Sequence, residues 1–451
     1  MKILLINPNQ IGLVNRRGKI YNRVWPPLAL ANSAALLEQH GHQVKIIDAN
    51  ALKLTSEDVA NSAAKFDKIF ISSSSLDRWQ CPSLDIEPFL GTVAEVRKFT
   101  DEVFILGAHG TVKPKEILEI TRAKAVIRGE PELTISEICA EKPLSEIHGL
   151  VFKRNETISF TKDQKSLDLD ELPLPSLHLL PMDTYRYELL GSNFTLFEGS
   201  RGCASRCTFC LLKMYGEGLR RKSLHKLTKE IDDAISNFGV KTAYFIDLEF
   251  TVFRDQILAL CDYLIKRHYD FEWTCQTRFD LIDESMLQKM KQAGCRLIHF
   301  GVDAGTDDLL KRVNKKITVQ QIEEGMWMTH KAKIESACFF MLGFPNSTEY
   351  EKAETIRFAK QLNPTYASFH FAIPYPGTAL HDQLQNSGQK DFNEELFPEA
   401  CVEQVDLKAL KRIARNAYVE FYLRPQYIVS RLFRGDFRSI LSQIKLFLGY
   451  I

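Results

Sequence analysis

The chain has 451 residues, a length typical of two or three domains, and 45% of them are hydrophobic, which is enough for a sizeable core. Its formal net charge of +1 excludes a general electrostatic attraction to nucleic acid. The first seven residues are too short an apolar run for a signal peptide, and no apolar run approaches the roughly 20 residues of a membrane-spanning helix. Without a secretion signal, we expect a cytoplasmic location and reduced cysteines.

The first 140 residues alternate short apolar strands with helices. Strands are predicted over 2–7, 43–48, 68–72, 103–106 and 125–127. Regular alternation with short connections predicts a doubly wound parallel sheet, whose ligands bind beyond the carboxyl ends of the strands. No G-x-G-x-x-G follows the first strand, so the sequence gives little support to a dinucleotide site. Residues 141–190 are predicted to be a linker, because the segment 167–175 is acidic and interrupted by prolines. Within that linker, 151–159 is predicted to form a hairpin.

Three cysteines, Cys203, Cys207 and Cys210, have the spacing C-x3-C-x2-C on a loop that follows a predicted strand over 193–197. Three thiolates are one short of a ferredoxin-type site, so one iron of a [4Fe–4S] cluster would stay open to a small molecule. The alternative is a zinc site, which needs a fourth Cys or His. His225 is near in sequence but falls in a predicted helix, and the spacing therefore favours the cluster.

Residues 191–385 resume the alternation of strands and helices. Six strands are predicted, over 193–197, 242–246, 271–276, 297–301, 335–342 and 366–373. Six such units predict a partial (β/α)6 barrel of the TIM type, in which functional residues gather at the carboxyl ends of the strands. Polar or glycine-rich groups follow these strands.

The cysteine spacing, with Phe209 directly before the last cysteine, resembles the radical S-adenosylmethionine (SAM) superfamily. The resemblance implies that the open iron binds the amino and carboxylate groups of SAM. It also implies that an electron donor such as flavodoxin or ferredoxin triggers cleavage of SAM to a 5′-deoxyadenosyl radical. A cluster of this type is sensitive to oxygen, which favours an anaerobic setting.

Further segments of the barrel resemble the same family. Asp247 and Glu249 resemble its acidic pair after the second strand, and Gln276 and Arg278 stand where relatives place a pair near SAM. Asp303, within Gly-Val-Asp-Ala-Gly, stands where the family usually has a glutamate. By this resemblance all five residues are expected to contact SAM.

The first domain resembles the cobalamin-binding domain that is attached to many radical SAM enzymes. The resemblance is carried by Pro26-Pro27 and by the stretches 41–48, 107–109 and 129–130. It implies a set of residues at the cobalamin: Ser74, Arg78, Trp79, Gly107, His109, Gly129 and Glu130. The D-x-H-x-x-G motif is absent, which implies cobalamin bound without a protein histidine on cobalt. Arg78 and Trp79 are then expected to block or tune an axial position of the metal.

Residues 386–451 are predicted to form a helical C-terminal region. The segment 421–425 resembles the C-terminal part of the subgroup that contains the anaerobic oxidative cyclase of chlorophyll synthesis and various methylases. The end of the chain, 428–451, mixes basic with apolar residues. Two interpretations stay open: a helix packed on the barrel, or an amphipathic helix in peripheral contact with a membrane.

Together these features predict a cobalamin-dependent radical SAM methyltransferase that methylates an unactivated carbon. Its substrate is an unidentified small molecule, lipid, tetrapyrrole or peptide. One alternative is an oxidative cyclase or another cobalamin-linked rearrangement without methyl transfer. A tRNA methylthiotransferase would need extra N-terminal cysteines and an RNA-binding C-terminal domain, and we see neither. A non-catalytic cobalamin sensor is disfavoured by the intact cysteine motif.

Overall fold

The structure is a computed structural model that describes residues 1–9, 24–74, 85–216, 218–386 and 404–433. Two of the predicted cobalamin residues, Arg78 and Trp79, lie outside these ranges, as does the predicted amphipathic end of the chain beyond residue 433. The chain divides into two compact units. The first comprises residues 1–202 and 211–243, and the second comprises residues 203–210 and 244–451.

The first unit contains a sheet of seven strands in the described part of the chain, in the order β2-β1-β3-β4-β5-β6-β7. Their bounds are Lys2–Asn7 (β1), Gln43–Asp48 (β2), Lys68–Ser72 (β3), Val103–Leu106 (β4), Ala125–Ile127 (β5), Leu150–Arg154 (β6) and Thr157–Phe160 (β7). Strands β1 to β5 pair in parallel, which confirms the predicted doubly wound sheet. The predicted hairpin of the linker is β6–β7, and it continues the sheet as two antiparallel strands.

Helices connect these strands as the alternation predicts. They are Leu28–Gln39 (α1), Ala49–Leu52 (α2), Ser56–Ala63 (α3), Glu87–Val96 (α4), Ala108–Val112 (α5), Pro114–Thr121 (α6) and Pro131–Cys139 (α7). A capping box between Thr55 and Asp58 fixes the start of α3. Gly107, with a φ of 104°, lets the chain leave β4 and turn directly into the short helix α5.

Shorter elements complete the first unit. They are the strands Arg186–Tyr187 (β8), Gly191–Ser192 (β9), Phe194–Phe197 (β10), Ser200–Arg201 (β11) and Arg220–Arg221 (β12) and the helix Leu224–Phe238 (α8). Strands β11 and β12 form an antiparallel pair in which Arg201 lies opposite Arg220. Helix α8 begins at a Ser223 side-chain cap and ends at Gly239, whose φ of 64° stops it.

The second sheet has six strands among the described residues, in the order β10-β13-β14-β15-β16-β17. The additional strands are Thr242–Phe245 (β13), Glu272–Thr277 (β14), Cys295–Asp303 (β15), Glu335–Leu342 (β16) and Tyr366–Phe371 (β17). Strands β14 to β17 pair in parallel. The six strands fall where the sequence predicts them.

Helices alternate with these strands as well. They are Arg254–Arg267 (α9), Glu284–Gln292 (α10), Asp307–Arg312 (α11), Val319–Lys331 (α12), Glu349–Leu362 (α13), Ala379–Asn386 (α14), Gln404–Tyr422 (α15) and Pro425–Phe433 (α16). One face of the sheet packs on them: Phe300 stacks on Phe279, which meets α12 at Gly325, and Phe369 contacts Tyr418 of α15. Among the helices that the structure describes, none combines the length and the apolar character needed to span a membrane.

A buried carboxylate closes the end of β2 in the first unit. Asp48 is 1% exposed and accepts hydrogen bonds from the Asn7 amide at 2.8 Å, the Tyr185 hydroxyl at 2.8 Å and the Ala51 N–H at 3.1 Å. Burial raises the pKa of Asp48, and these hydrogen bonds oppose the rise without cancelling it. The folded protein therefore holds a proton on Asp48 more tightly than the unfolded chain does.

The raised pKa of Asp48 predicts the sign of a pH effect on stability. Stabilisation by its bound proton is complete below the unfolded pKa of about 4 and is lost as the pH rises through the folded pKa. We expect the melting temperature of the wild type, minus that of Asp48→Asn, to fall as the pH rises from 4. The exposed Asp58 has a lowered pKa, because Thr55 donates to it, so the corresponding difference for Asp58→Asn should rise as the pH approaches 4 from below and stay level above pH 4. Equal slopes for the two variants would contradict the burial of Asp48.

Candidate functional site

The three cysteines lie on a loop that the second unit holds from two sides. The Thr208 N–H donates to the Val313 carbonyl at 3.0 Å, and the Asn314 amide donates to the Arg206 carbonyl at 2.6 Å. The Leu380 N–H donates to the Thr208 carbonyl at 2.8 Å. Phe209, predicted from the motif, packs on Phe344 with ring centroids 5.5 Å apart. The loop is therefore anchored by the residues after α11 and by the start of α14.

Glu249 contacts the cysteine loop directly. Its carboxylate accepts a hydrogen bond of 2.6 Å from the Ser205 hydroxyl and one of 3.3 Å from the Ala204 N–H. Glu249 and Asp247 are both 3% exposed, so the predicted acidic pair is buried. Because a carboxylate has about four acceptor positions, Glu249 orients the loop and still has capacity for a ligand.

Two cations and their carboxylates surround the loop. The buried Lys315 ammonium donates to Asp303, and the carbonyl of Lys315 accepts from Arg278 at 3.0 Å. Arg278 also donates to both oxygens of Asp280, at 2.9 and 2.8 Å, and lies 3.8 Å from Glu249. The structure thus brings together the predicted residues Glu249, Arg278 and Asp303. Lys315 was missed, because a lysine 105 positions after Cys210 carries no signal for this contact in the sequence.

The charges on these residues affect the three thiols differently. The thiol of Cys210 donates a hydrogen bond to Cys207, and this bond, helped by the positive charge of Lys315, lowers the pKa of Cys207 against the effect of burial. The same bond and burial raise the pKa of Cys210. Burial and the charge of Glu249 raise the pKa of Cys203 to about 12. Burial opposes the charged form of Lys315, but Asp303 and Cys207 raise its pKa.

The donor set fits the protein side of a [4Fe–4S] cluster with one open iron. It consists of three thiols on one anchored loop, with the buried cation of Lys315 next to two of them. Within the described ranges, no three His, Cys, Asp or Glu side chains come close enough together to hold a single metal ion. The assignment of Cys203, Cys207 and Cys210 as cluster ligands stays a prediction.

Several predicted cobalamin residues gather at the carboxyl ends of β3, β4 and β5. His109 is fully buried, and its Nδ1 lies 3.0 Å from the Ser73 hydroxyl. The carbonyl of Ser74 accepts from Ser72 at 2.6 Å. The Gly129 N–H donates to the Thr111 hydroxyl at 3.0 Å. Hydrogen bonds thus join the β4 loop to the loops after β3 and β5, with Gly107 at the turn into α5.

Glu130, also predicted at the cobalamin, is engaged by two arginines. Its carboxylate accepts from Arg201 at 2.9 Å and from Arg220. Arg201 also donates to Glu198 at 2.8 Å and to Glu132 at 2.6 Å, and the Arg201 side chain is fully buried. Burial opposes its charge, but the carboxylates of Glu132, Glu198 and Glu130 raise the pKa of Arg201. The role of Glu130 seen in the structure is to pair these arginines, which the sequence did not reveal.

Gln276 belongs to a row of side chains across the second sheet, on the face opposite the helices. The Tyr244 hydroxyl donates to its carbonyl oxygen at 3.3 Å, and His299 lies beside it in the β14–β15 register. Phe339 and His370 continue the row on β16 and β17, with ring centroids 5.7 Å apart. We call Tyr244, Gln276, His299, Phe339 and His370 the ring row. Of these five residues, only Gln276 was predicted from the sequence as a site residue.

Comparison with known proteins agrees with this site. Residues 197–359 match the model of the radical SAM superfamily. The chain is 30% identical over 448 residues to an uncharacterized methyltransferase of Pyrococcus horikoshii, covering 96% of this chain and 95% of that protein. It is 24% identical over 399 residues to the anaerobic magnesium-protoporphyrin IX monomethyl ester cyclase of Rubrivivax gelatinosus, covering 85% of this chain and 70% of the cyclase.

A solved structure shares the fold over the whole chain. The cobalamin-dependent S-adenosylmethionine radical enzyme OxsB, solved with aqua-cobalamin bound, superposes with a TM-score of 0.75 at 17% identity. The match covers 100% of this chain and 73% of OxsB. On the family match and the full-length relative, the chain belongs to the radical SAM superfamily and is an enzyme. Such an enzyme acts on a substrate and needs a reductant.

The buried pair of Lys315 and Asp303 gives a prediction about stability. In Lys315→Met, Asp303 is left buried without its partner, and we expect the free energy of unfolding to fall by about 3 kcal/mol. Neutralising the carboxylate as well, in Lys315→Met/Asp303→Asn, should restore part of that loss. Urea unfolding of the metal-free protein measures both, with the exposed neighbour variant Lys316→Met as the control. If Lys315→Met unfolds at the same urea concentration as Lys316→Met, the pair does not stabilise the fold.

Proposed function

We propose that this enzyme is a cobalamin-dependent methyltransferase that methylates an unactivated carbon of its substrate. The observation that carries the proposal is the anchored loop of Cys203, Cys207 and Cys210 beside a buried lysine, on a chain that aligns end to end with a methyltransferase relative. Two further points support it. The first sheet has the predicted doubly wound form, and the cobalamin-dependent enzyme OxsB shares the fold over the whole chain.

In this proposal the cluster with SAM supplies hydrogen abstraction from the substrate, and cobalamin supplies the methyl group. The three cysteines hold the cluster, and Glu249 fixes their loop through Ser205 and the Ala204 N–H. SAM is proposed to contact Phe209, Asp247, Glu249, Gln276, Arg278 and Asp303. Lys315 joins this set, because its ammonium donates to Asp303 and is also stabilised electrostatically by Cys207 and Cys210.

The charged residues of the proposed SAM site are buried even without a ligand. Asp247, Glu249, Asp303 and Lys315 are all less than 10% exposed. Water is therefore scarce around them, and electrostatic attraction between fixed charges is stronger than in solvent. A charged amino-acid moiety such as that of SAM would meet preset carboxylate and ammonium partners rather than mobile surface side chains.

Cobalamin is proposed to bind at the carboxyl ends of β3, β4 and β5. Ser74, Gly107 and Gly129 lie in these loops and His109 lies in α5 directly after β4, whereas Glu130 supports this region through its arginine pairs. His109 is fully buried and the D-x-H-x-x-G motif is absent, so we propose that His109 does not bind cobalt. The electron donor is proposed to be a flavodoxin or ferredoxin, and the location is proposed to be the cytoplasm.

A second candidate function is oxidative cyclisation without methyl transfer. The observation that favours it is the similarity to the magnesium-protoporphyrin cyclase over 85% of this chain. Both functions use the same cysteine loop, so the site described above does not separate them. The substrate is proposed to be a small molecule, lipid, tetrapyrrole or peptide, and the products separate the two functions.

The cysteine assignment is tested by metal content. Anaerobic reconstitution of the wild type should give about four irons per chain, because three thiolates suffice to hold one cluster. The variant with Cys203, Cys207 and Cys210 all replaced by Ala should bind no cluster. Cys338→Ala, which removes a buried thiol of β16, is the matched control and should keep the iron. Wild-type iron content in the triple variant would overturn the assignment.

Methyl transfer is tested by the fate of a labelled methyl group. With SAM labelled in its methyl group, the reduced protein, cobalamin and substrate should place the label on a carbon of the product. One turnover should give 5′-deoxyadenosine and S-adenosylhomocysteine in a ratio of about one. The triple cysteine variant should form no 5′-deoxyadenosine. Formation of 5′-deoxyadenosine without S-adenosylhomocysteine, with a product lighter by hydrogens, would replace methylation by cyclisation.

A further inference from the structure

The two faces of the second sheet differ in how far they are covered. On β16, the residues that face the helices, Ser336, Cys338, Phe340 and Leu342, are all buried. On the opposite face of the same strand, Phe339 and Met341 are partly exposed, and on β17 His370 is exposed. The interior face of a closed barrel is normally packed by its own side chains. Apolar side chains left accessible on such a face are typical of a ligand site.

The ring row occupies this accessible face. The centroids of Tyr244 and His299 are 5.1 Å apart, those of His299 and Phe339 are 5.6 Å apart, and those of Phe339 and His370 are 5.7 Å apart. The planes of His299 and Phe339 lie within 27° of each other. These distances are within the range for favourable contacts between aromatic rings. The row is longer than a single six-membered ring and carries no charged carboxylate or ammonium.

Exposure increases along the row from β15 to β17. His299 is 5% exposed, Phe339 is half-buried and His370 is exposed. Polar groups lie at both ends: the Gln276 amide beside Tyr244, and the His370 imidazole 2.8 Å from the Ser368 hydroxyl. A ligand on this face would therefore meet ring faces at its centre and hydrogen-bonding groups at its edges.

Gly301 connects the ring row to the proposed SAM site. It follows His299 by two positions on β15, so its missing side chain would point to the same face. A Cβ atom built on Gly301 would lie 2.9 Å from the Lys315 ammonium and 3.6 Å from the Asp303 carboxylate. The ring row and the pair of Lys315 and Asp303 are thus neighbours along one strand, within one unit.

We propose that the ring row binds the substrate, and that this substrate contains a planar conjugated system of more than one ring. That the bound molecule is the substrate depends on the proposed function, whereas the binding of a planar molecule to the ring row does not. Stacking on the accessible ring of Phe339, which His299 supports from behind, selects flat rings, because an aromatic pair contributes about 0.5–1.5 kcal/mol beyond the apolar area that it buries. An unbranched lipid chain gains none of this contribution.

The test is binding of protoporphyrin IX to the metal-free protein, measured by its absorption and fluorescence. Phe339→Leu keeps an apolar side chain but removes the ring, and we expect its dissociation constant to rise about fivefold. Phe339→Tyr restores the ring and should bind nearly as the wild type does. Trp327→Leu removes an aromatic side chain that is 58% exposed on α12, and this control should leave the dissociation constant unchanged.

Two outcomes would overturn the proposal. One is equal affinity of Phe339→Leu and wild type for protoporphyrin IX, and the other is displacement of protoporphyrin IX by an equal concentration of palmitate. The triple cysteine variant should bind protoporphyrin IX as the wild type does, because binding needs no cluster. If protoporphyrin IX fails to bind while the labelled-methyl experiment succeeds, the substrate class is wrong and the function stands. If protoporphyrin IX binds more weakly to Phe339→Leu than to wild type but no methyl group is transferred, the ligand class is right and the proposed methyltransferase function is wrong.

Discussion

The buried guanidinium group of Arg201 constrains the structure of the segment that leads into the three cysteines. Arg201 and Arg220 lie opposite each other in the β11–β12 pair, and like charges at such positions repel. Removing a charge from water costs several kcal/mol unless it is paired with good geometry. Glu130 accepts from both arginines, while Glu198 accepts from Nε and Glu132 from Nη2 of Arg201. Three carboxylates from two segments of the first unit, the start of α7 and the residues directly before β11, therefore surround the Arg201 side chain of β11.

This cluster leaves little freedom to the residue that follows. Gly202 has a φ of 92°, a conformation that residues with side chains rarely adopt, and a Cβ there would collide with the Gly218 carbonyl. The backbone between the fixed Arg201 and Cys203 therefore has essentially one path. Between the cysteines, hydrogen bonds of Arg206 and Thr208 to residues of the second unit hold the loop again. A loop that presents three thiols is thus constrained at its start and in its middle before any metal binds.

The sequence predicted the strands well because each is a short, buried run bounded by turns. The strand predictions over 2–7, 43–48 and 68–72 agree with β1, β2 and β3. Glu249, Arg278 and Asp303, which the family resemblance predicts near SAM, lie close to one another through Lys315 and through the 3.8 Å approach of Arg278 to Glu249, and their contact with SAM stays a prediction. What the sequence did not reveal depends on contacts between distant positions. Lys315 pairs with Asp303, and Arg201 pairs with Glu130 and Glu132 some 70 positions earlier. The side chains of the ring row become neighbours only through strand register.

The aspartate at position 303, where the family usually has a glutamate, has a physical explanation in this site. Asp303 is 4% exposed and has a φ of 67°, and its short carboxylate is engaged by the Lys315 ammonium. Gly301 leaves the space that this ammonium needs, since any side chain there would stand within about 3 Å of it. Glycine, aspartate and lysine therefore work as one set, in which the aspartate holds the lysine and the glycine makes room for it. Lys315 and Asp303 are therefore positioned as one pair, and in the proposed SAM site both the ammonium and the carboxylate are available to the ligand.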